Sequence, residues 1–209
     1  MGLMGDFGSQ LELLADADPE LFQDMFGSMK HWGKQKQVEV VRAITPMVSL
    51  LREDLDHIYQ LSPEEFEVLI CDRLDRMDFA VTRIGSVYVP DGGVDIIACP
   101  KRPAPFPYLL AVQAKHRQEK RRRVGPGAVR DLKAVVAAHS FNAGVLVTNT
   151  TFTPDAVWVA QQLPTLVRLR DIEDLRRWIY DNFVSEHEWR EIPESIVLRP
   201  NLVVKIRGE

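Results

Sequence analysis

The sequence predicts an α/β protein: a mixed β-sheet flanked by helices and preceded by an N-terminal helical appendage. Three observations support this fold class. After about residue 61, short apolar runs typical of strands alternate with stretches that have helical periodicity. Before residue 61 the apolar residues recur only at helical spacing. The chain has 209 residues and is 45% hydrophobic, which is enough for one sizeable core and excludes disorder throughout.

The composition also excludes several classes of protein. Two cysteines cannot form a disulfide framework or a four-cysteine zinc site. No apolar run approaches the roughly 20 residues that span a bilayer, so no membrane partner is expected. The first residues lack the basic and apolar regions of a secretory signal, which makes the cytoplasm the expected location.

The N-terminal region, residues 1–60, is acidic and helical, with a net charge of −5. Asp18 and Pro19 begin one candidate helix, and a longer helix is predicted from about residue 36 to 60. Pro46 should kink or break that longer helix. The region is suited to oligomerisation, partner binding or regulation, and extra packing on the main domain is an equally good interpretation.

Residues 61–183 are predicted to form the main domain, and residues 184–209 a C-terminal extension. Ser62, Pro63 and Glu65 form a helix start with a capping box, and that helix should reach about Met77. Apolar runs predict the strands, while caps, prolines and amphipathic spacing predict the helices. The later elements are strands 80–84, 94–98 and 108–114, helix 127–139, strand 143–148, helix 154–162 with Thr153 as its cap, strand 166–169, helix 171–183 and a strand-like run 195–206 broken by Pro200.

One short segment carries most of the basic charge. Residues 115–133 have a net charge of +6, whereas the whole chain has −4. A concentrated basic segment on an acidic protein can hold a polyanion. A solvated helix or loop surface is an equally good interpretation of the charge alone.

Two carboxylates occupy positions next to apolar residues, where burying a charged group costs free energy. Glu67 falls at the edge of the core-facing stripe of its helix, although an edge glutamate can also reach water. Asp95 lies among apolar residues, just after the turn signal formed by Asp91, Gly92 and Gly93. It could hold a metal at the edge of the sheet, or simply cap the turn of a hairpin.

The apolar strand at 108–114 ends in polar residues. Strand alternation puts Gln113 and Lys115 on one face and Ala114 on the other. A lysine at the end of a buried strand is expensive unless it pairs with an acid or acts on a substrate. The alternative is a strand that ends at its first charge.

The order of these motifs resembles a known family. The stretches Pro63-x-Glu65-Phe66-Glu67-x-x-Ile70, Asp91-Gly92-Gly93-Val94-Asp95 and Val112-Gln113-Ala114-Lys115 are similar to the catalytic domain of Mrr-like type IV restriction endonucleases. These belong to the PD-(D/E)xK nuclease superfamily, whose restriction-endonuclease-like fold is therefore expected. The resemblance covers about residues 61–180, and within that range the downstream stretches 144–149 and 152–156 also match the family. The winged-helix DNA-reading domain of that family is not recognisable.

The resemblance implies roles for the motif residues. Asp95, Gln113, the Ala114 carbonyl and Glu67 would bind Mg²⁺, with Mn²⁺ as a substitute. Lys115 would orient the attacking water and stabilise charge on the phosphate. The implied DNA-binding residues are basic side chains that neutralise phosphates: Arg117, Lys120, Arg121, Arg122, Arg123 and Arg130.

The resemblance therefore implies a Mg²⁺-dependent DNA endonuclease acting in antiviral defence against foreign or modified DNA. A homo-oligomer is expected, because double-strand breaks often call for two active sites. Three alternatives stay open: a structure-specific nuclease like a Holliday-junction resolvase, a nuclease effector subunit of a larger defence complex, and a non-catalytic DNA-binding component. In a larger complex, residues 1–60 would dock a sensor or partner protein.

Overall fold

Helices and strands alternate along the part of the chain that the computed structural model describes. The described residues are 34–84, 93–102, 108–162, 166–184, 195–199 and 202–205. The helices are α1 (Lys34–Glu53), a 3-10 helix (Leu55–Tyr59), α2 (Pro63–Arg76), α3 (Pro126–Ala138), α4 (Pro154–Gln161) and α5 (Ile172–Ile179). The strands are β1 (Phe79–Arg83), β2 (Ile96–Pro100), β3 (Leu110–Lys115), β4 (Ala143–Thr148), β5 (Val167–Arg170), β6 (Ser195–Arg199) and β7 (Leu202–Lys205).

The first five strands form one mixed sheet in the order β1-β2-β3-β4-β5. The pairs β1–β2 and β2–β3 are antiparallel, whereas β3–β4 and β4–β5 are parallel. This confirms the predicted mixed sheet flanked by helices. Because β3 lies at the centre, its carboxyl end has a neighbouring strand on each side.

Helices cover both faces of the central sheet. On one face, Phe66 of α2 and Trp178 of α5 belong to a cluster that includes Val112 of β3. On the other face, Leu132 of α3 belongs to a cluster that includes Ala111 of the same strand. Successive side chains of β3 therefore serve opposite layers, as strand alternation requires.

The predicted helix starts at Ser62 and Thr153 are confirmed. The Ser62 hydroxyl accepts a hydrogen bond from the Glu65 N–H at 3.1 Å, and the Glu65 carboxylate accepts one from the Ser62 N–H at 2.7 Å. Thr153 accepts from the Ala156 N–H at 3.2 Å. These side chains satisfy backbone donors that the first helical turn leaves without a partner.

The N-terminal helix differs from its prediction in two ways. Helix α1 continues through Pro46 without a break. It ends at Glu53 instead of near residue 60, because Asp54 caps a separate 3-10 helix by accepting a hydrogen bond from the Asp56 N–H. Ile44 and Leu51 are buried in the cluster that contains Phe66, and this packing offsets the backbone hydrogen bond that a proline removes. Over residues 44–60, the interpretation as extra packing on the main domain describes what is seen.

Some predicted boundaries were wrong by a few residues. Helix α5 ends at Ile179, not at Phe183, and β2 ends at Pro100. Within the run at 195–206, residues 195–199 and 202–205 form two antiparallel strands, β6 and β7. The candidate helix beginning at Pro19 and the turn residues Asp91 and Gly92 lie outside the described residues. Within the described ranges, no helix combines the length and apolarity that a membrane span needs.

Candidate active site

The strand register brings Asp95 and Gln113 together. The Asp95 N–H donates to the Val112 carbonyl at 3.0 Å, and the Asp95 carbonyl accepts from the Ile84 N–H at 2.9 Å. The β2–β3 ladder begins at the Ile96–Val112 pair. Asp95 lies just beyond the end of this ladder, beside the two neighbours of Gln113 in β3: its N–H bonds to Val112, and its carboxylate accepts from the Ala114 N–H.

The Asp95 carboxylate has a fixed orientation. Its Oδ2 accepts a hydrogen bond from the Ala114 N–H at 2.7 Å. A backbone donor to a carboxylate makes a strong, charge-assisted bond. The motif suggested a contribution from the Ala114 carbonyl, and it gave no sign that the N–H of the same residue orients Asp95.

Gln113 is buried, with only 3% of its surface exposed. Its Nε2 donates to the Gly93 carbonyl at 2.5 Å. Gly93 has φ +86°, and a Cβ at this position would overlap Gln113 Nε2, so both the backbone conformation and the close approach require glycine. The other amide atom, Oε1, is buried and has no hydrogen-bond partner among the described residues. Buried polar atoms are rarely left this way, which makes Oε1 a candidate ligand atom.

Glu67 reaches the same end of the sheet from α2. Burial, followed by repulsion from Asp95, raises the pKa of Glu67 to about 7. The guanidinium of Arg83, on β1, acts in the opposite direction and lies 3.7 Å from the Glu67 carboxylate. Arg83 is a site residue that sequence reasoning missed, because its place depends on the β1–β2 pairing. One turn further along α2, burial raises the pKa of the Cys71 thiol to about 12, so Cys71 offers no thiolate at neutral pH.

Lys115 is the last residue of β3 and is partly buried. Its position two residues after Gln113 puts its side chain on the Gln113 face. The backbone there is held by β4, because the Thr148 hydroxyl donates to the Lys115 carbonyl at 2.8 Å. An ammonium group is thus carried by a strand end that is anchored on its neighbour.

The donor set suits a hard divalent cation. No group of three or more His, Cys, Asp or Glu side chains converges within the part of the chain that the structure describes. Asp95, Glu67 and the Oε1 atom of Gln113 offer oxygen donors, which Mg²⁺ prefers together with several waters. A bound cation would stabilise two carboxylates that repel each other, and it would supply a partner for an amide oxygen that has none among the described residues.

The predicted DNA-binding residues occupy different environments. The Lys120 ammonium lies 2.5 Å from the Asp56 carboxylate and 5.4 Å from the centre of the Tyr59 ring, so it contacts the 3-10 helix. Arg121, Arg122 and Arg123 follow in an exposed turn, and Arg130 is exposed on α3. Arg117 is partly buried and lies near the start of the loop that follows β3.

With this geometry established, the comparison with protein families is decisive. The catalytic-domain model Mrr_cat, described as a restriction endonuclease, matches residues 58–179, more than half of the chain. The chain belongs to the Mrr restriction endonuclease family. The match includes Glu67, Asp95, Gln113 and Lys115, and it confirms the predicted resemblance. Enzymes of this family are nucleases and generally use divalent metals.

One of the solved structures that resemble this Mrr family member supports the same fold. MspJI restriction endonuclease, solved in complex with a 27-mer oligonucleotide, matches 68% of this chain at 19% identity with a TM-score of 0.51. The modification-dependent restriction endonuclease AspBHI matches 66% of it at 22% identity with a TM-score of 0.48. The matched regions are 33% and 36% of those chains, so the chain spans about a third of their length. A search of curated proteins found no match.

Proposed function

We propose that this protein is a Mg²⁺-dependent DNA endonuclease that hydrolyses phosphodiester bonds in defence against foreign or modified DNA. Membership of the Mrr family supports the nuclease activity. The name of AspBHI states that this enzyme depends on DNA modification, and the name of the MspJI complex states that an oligonucleotide is bound. For the present chain, both DNA as the substrate and modification as the signal are part of the proposal.

The buried Oε1 atom of Gln113 is the observation that carries the metal proposal. It has no hydrogen-bond partner among the described residues, while the Nε2 atom of the same amide is committed to Gly93. An amide oxygen buried without a partner costs about 1–3 kcal/mol. A cation held by Gln113, Asp95, Glu67 and the Ala114 carbonyl would offset that cost. Mn²⁺ should substitute for Mg²⁺, because it accepts the same oxygen donors.

In the proposed reaction, the residues of the chain hold the reactants and stabilise charge. Bound Mg²⁺ supplies Lewis-acid polarisation of the phosphate and makes water more acidic. Asp95, oriented by the Ala114 N–H, provides the negative charge that retains the cation. Lys115 orients the attacking water and stabilises the negative charge that develops on the phosphate oxygens. Arg83 counterbalances the charge of Glu67 from β1.

Supercoiled plasmid conversion tests this proposal. Parent protein with Mg²⁺ or Mn²⁺ should nick or linearise the plasmid, and EDTA should stop conversion. Lys115→Ala should lower the rate by about 100-fold or more, because it removes a charge that stabilises the transition state. Lys101→Ala is the matched control, since Lys101 makes a surface ion pair with Asp75 at 2.8 Å and lies at the opposite end of β2 from Asp95. Equal conversion by the two lysine variants would contradict the proposed site.

The substrate and the assembly are tested with the same protein. Methylated, unmodified and branched DNA should be compared, and a preference for a four-way junction would favour the resolvase-like alternative.

We propose a homo-oligomer, which light scattering should detect as a mass above 23.8 kDa. Cleavage that appears only with a protein co-purified through residues 1–60 would identify an effector subunit. DNA binding without cleavage on every substrate would favour a non-catalytic component.

A further inference from the structure

Three consecutive polar residues are buried where β4 ends. Thr148, Asn149 and Thr150 are each no more than 1% exposed. Buried polar side chains are costly unless they are hydrogen-bonded. Asn149 and Thr150 contact the loop that follows β3 and carries the basic residues, and Thr148 contacts the last residue of β3. The Thr148 hydroxyl donates to the Lys115 carbonyl at 2.8 Å, and the Thr150 hydroxyl donates to the Arg122 carbonyl at 3.0 Å.

Asn149, the central residue, holds both backbone groups of Arg117. Its Oδ1 accepts from the Arg117 N–H at 2.8 Å, and its Nδ2 donates to the Arg117 carbonyl at 2.7 Å. The side-chain amide thereby takes the place of a neighbouring strand, with one donor and one acceptor facing one residue. Aspartate lacks the donor and alanine lacks both groups, so the chemistry of this contact specifies asparagine.

Arg117 differs from the other arginines of the loop. Its backbone is fixed at two points, and its Nε is buried without a hydrogen-bond partner among the described residues. Arg121, Arg122 and Arg123 are exposed. A guanidinium donor that is buried and lacks an acceptor is costly unless a ligand supplies one. A phosphate oxygen is an acceptor that suits the geometry of arginine.

We propose that Asn149 is a positioning residue that holds Arg117 ready to bind one DNA phosphate beside Lys115. Arg121, Arg122 and Arg123 attract DNA without fixed geometry. The inference rests on the proposed function, because it takes DNA as the ligand of this site. A group that is already ordered loses less conformational entropy on binding, so the contact of Arg117 should depend on the clamp formed by Asn149.

A double-mutant cycle tests the dependence of Arg117 on Asn149. The affinity for a fluorescent DNA duplex is measured by anisotropy in EDTA, so that no cleavage occurs. Arg117→Ala and Asn149→Ala should each weaken binding about tenfold, and the double variant should bind no more weakly than Arg117→Ala. Losses that add in the double variant would overturn the proposal, as would unchanged binding by Asn149→Ala or a parent protein that does not bind DNA.

Two controls separate positioning from general destabilisation. In an Arg123→Ala background, Asn149→Ala should still cost about tenfold, because Arg123 is outside the clamp. Val136→Ala removes a buried methyl pair from α3, away from the loop, and should leave DNA affinity near that of the parent when both are folded. A loss in Val136→Ala equal to that in Asn149→Ala would mean that stability alone explains the effect.

Hydrogen exchange keeps the proposal testable where Asn149→Ala fails to fold. In the parent protein the Arg117 amide should exchange slowly, because its N–H is bonded to a buried side chain. Fast exchange of this amide in the folded parent would overturn the clamp. The clamp and the nuclease proposal fail in different ways. Coupled binding losses without plasmid cleavage would support the clamp and reject the nuclease. Plasmid cleavage that needs Lys115, together with additive binding losses, would support the nuclease and reject the clamp.

Discussion

Among the described residues, the buried guanidinium of Arg73 and the buried polar atoms of the candidate site differ in how fully they are hydrogen-bonded. Arg73 of α2 is 0% exposed, yet its guanidinium contacts Asp72, Asp181 at 2.9 Å and the Trp178 carbonyl at 3.1 Å. Its hydrogen bonds therefore join α2 to the end of α5. At the candidate site, by contrast, the Oε1 atom of Gln113 and the Nε atom of Arg117 are buried without partners among the described residues.

The difference separates a structural network from a candidate ligand site. A buried charge that is fully paired contributes rigidity, and losing one partner is expensive. We propose that the two buried atoms without partners among the described residues gain those partners from a bound ligand. Burial and polarity occur in both regions, so the completeness of the hydrogen bonding is the property that distinguishes them.

The largest expected effect is on catalysis, at Asp95. Asp95→Ala should reduce plasmid conversion by about 1,000-fold, since it removes the charge proposed to hold the cation. Folding should change little or improve, because the repulsion between Asp95 and Glu67 disappears. Conversion rates of parent and variant measure the effect on catalysis, and their thermal unfolding measures the effect on stability. Cleavage at the parent rate under matched Mg²⁺ would show that the site is assigned wrongly.

The second effect, at Arg73, should be on stability. Arg73→Ala leaves Asp72 and Asp181 without their buried partner and should lower the free energy of unfolding by about 3 kcal/mol. Arg76→Ala is the matched control, because Arg76 meets the same two carboxylates but is 51% exposed, and it should cost less than about 1 kcal/mol. Urea unfolding measures the free energy of unfolding of both variants. Similar losses in the two variants would remove the contrast between the regions.

The third effect is on DNA affinity. Replacing Arg121, Arg122 and Arg123 with Gln should weaken binding by up to about 100-fold at 0.1 M salt and reduce the slope of log K against log salt by up to about 3. At high salt, parent and variant should converge. A salt titration by anisotropy checks this, and an unchanged slope would mean that the arginines form only a solvated surface.

The smallest effect is at Gly93. An added Cβ meets Gln113 Nε2 and is strained at φ +86°, so Gly93→Ala should displace the glutamine and slow cleavage about tenfold. Gly127→Ala is the control, because a Cβ at Gly127 meets nothing within 4 Å. Plasmid conversion across a Mg²⁺ titration compares them. Parent-like Mg²⁺ dependence in Gly93→Ala would argue against Gln113 as a ligand.

Local features of the fold could be predicted from the sequence because they depend on neighbouring residues. The caps at Ser62 and Thr153 require only residues three positions away, and the shared face of Gln113 and Lys115 follows from strand alternation. The apolar run at 143–148 likewise indicated a buried strand, which is β4.

The contacts that complete the site could not be predicted in this way. The bonds from Ala114 to Asp95 and from Gln113 to Gly93 join residues 19 and 20 positions apart, and the clamp on Arg117 spans 32 positions. Such pairs depend on strand register and on the parallel pairing of β3 with β4, which apolar patterning does not specify. Arg83 was missed for the same reason. Recognition of the family supplied the candidate residues, while the register explains how they meet.

The burial of α1 bears on how this protein can be shortened. Ile44, Val48 and Leu51 are each at most 7% exposed, and Ile58 is 0% exposed, all in the cluster that contains Phe66. The Arg52 guanidinium also reaches Asp181 at 2.6 Å, and the Tyr180 hydroxyl donates to the Arg52 carbonyl at 2.7 Å. A recombinant fragment that starts at residue 61 would expose one apolar side of the α2–α5 layer to water. Such a fragment would be prone to aggregation. A fragment meant for crystallisation should start upstream of Ile44.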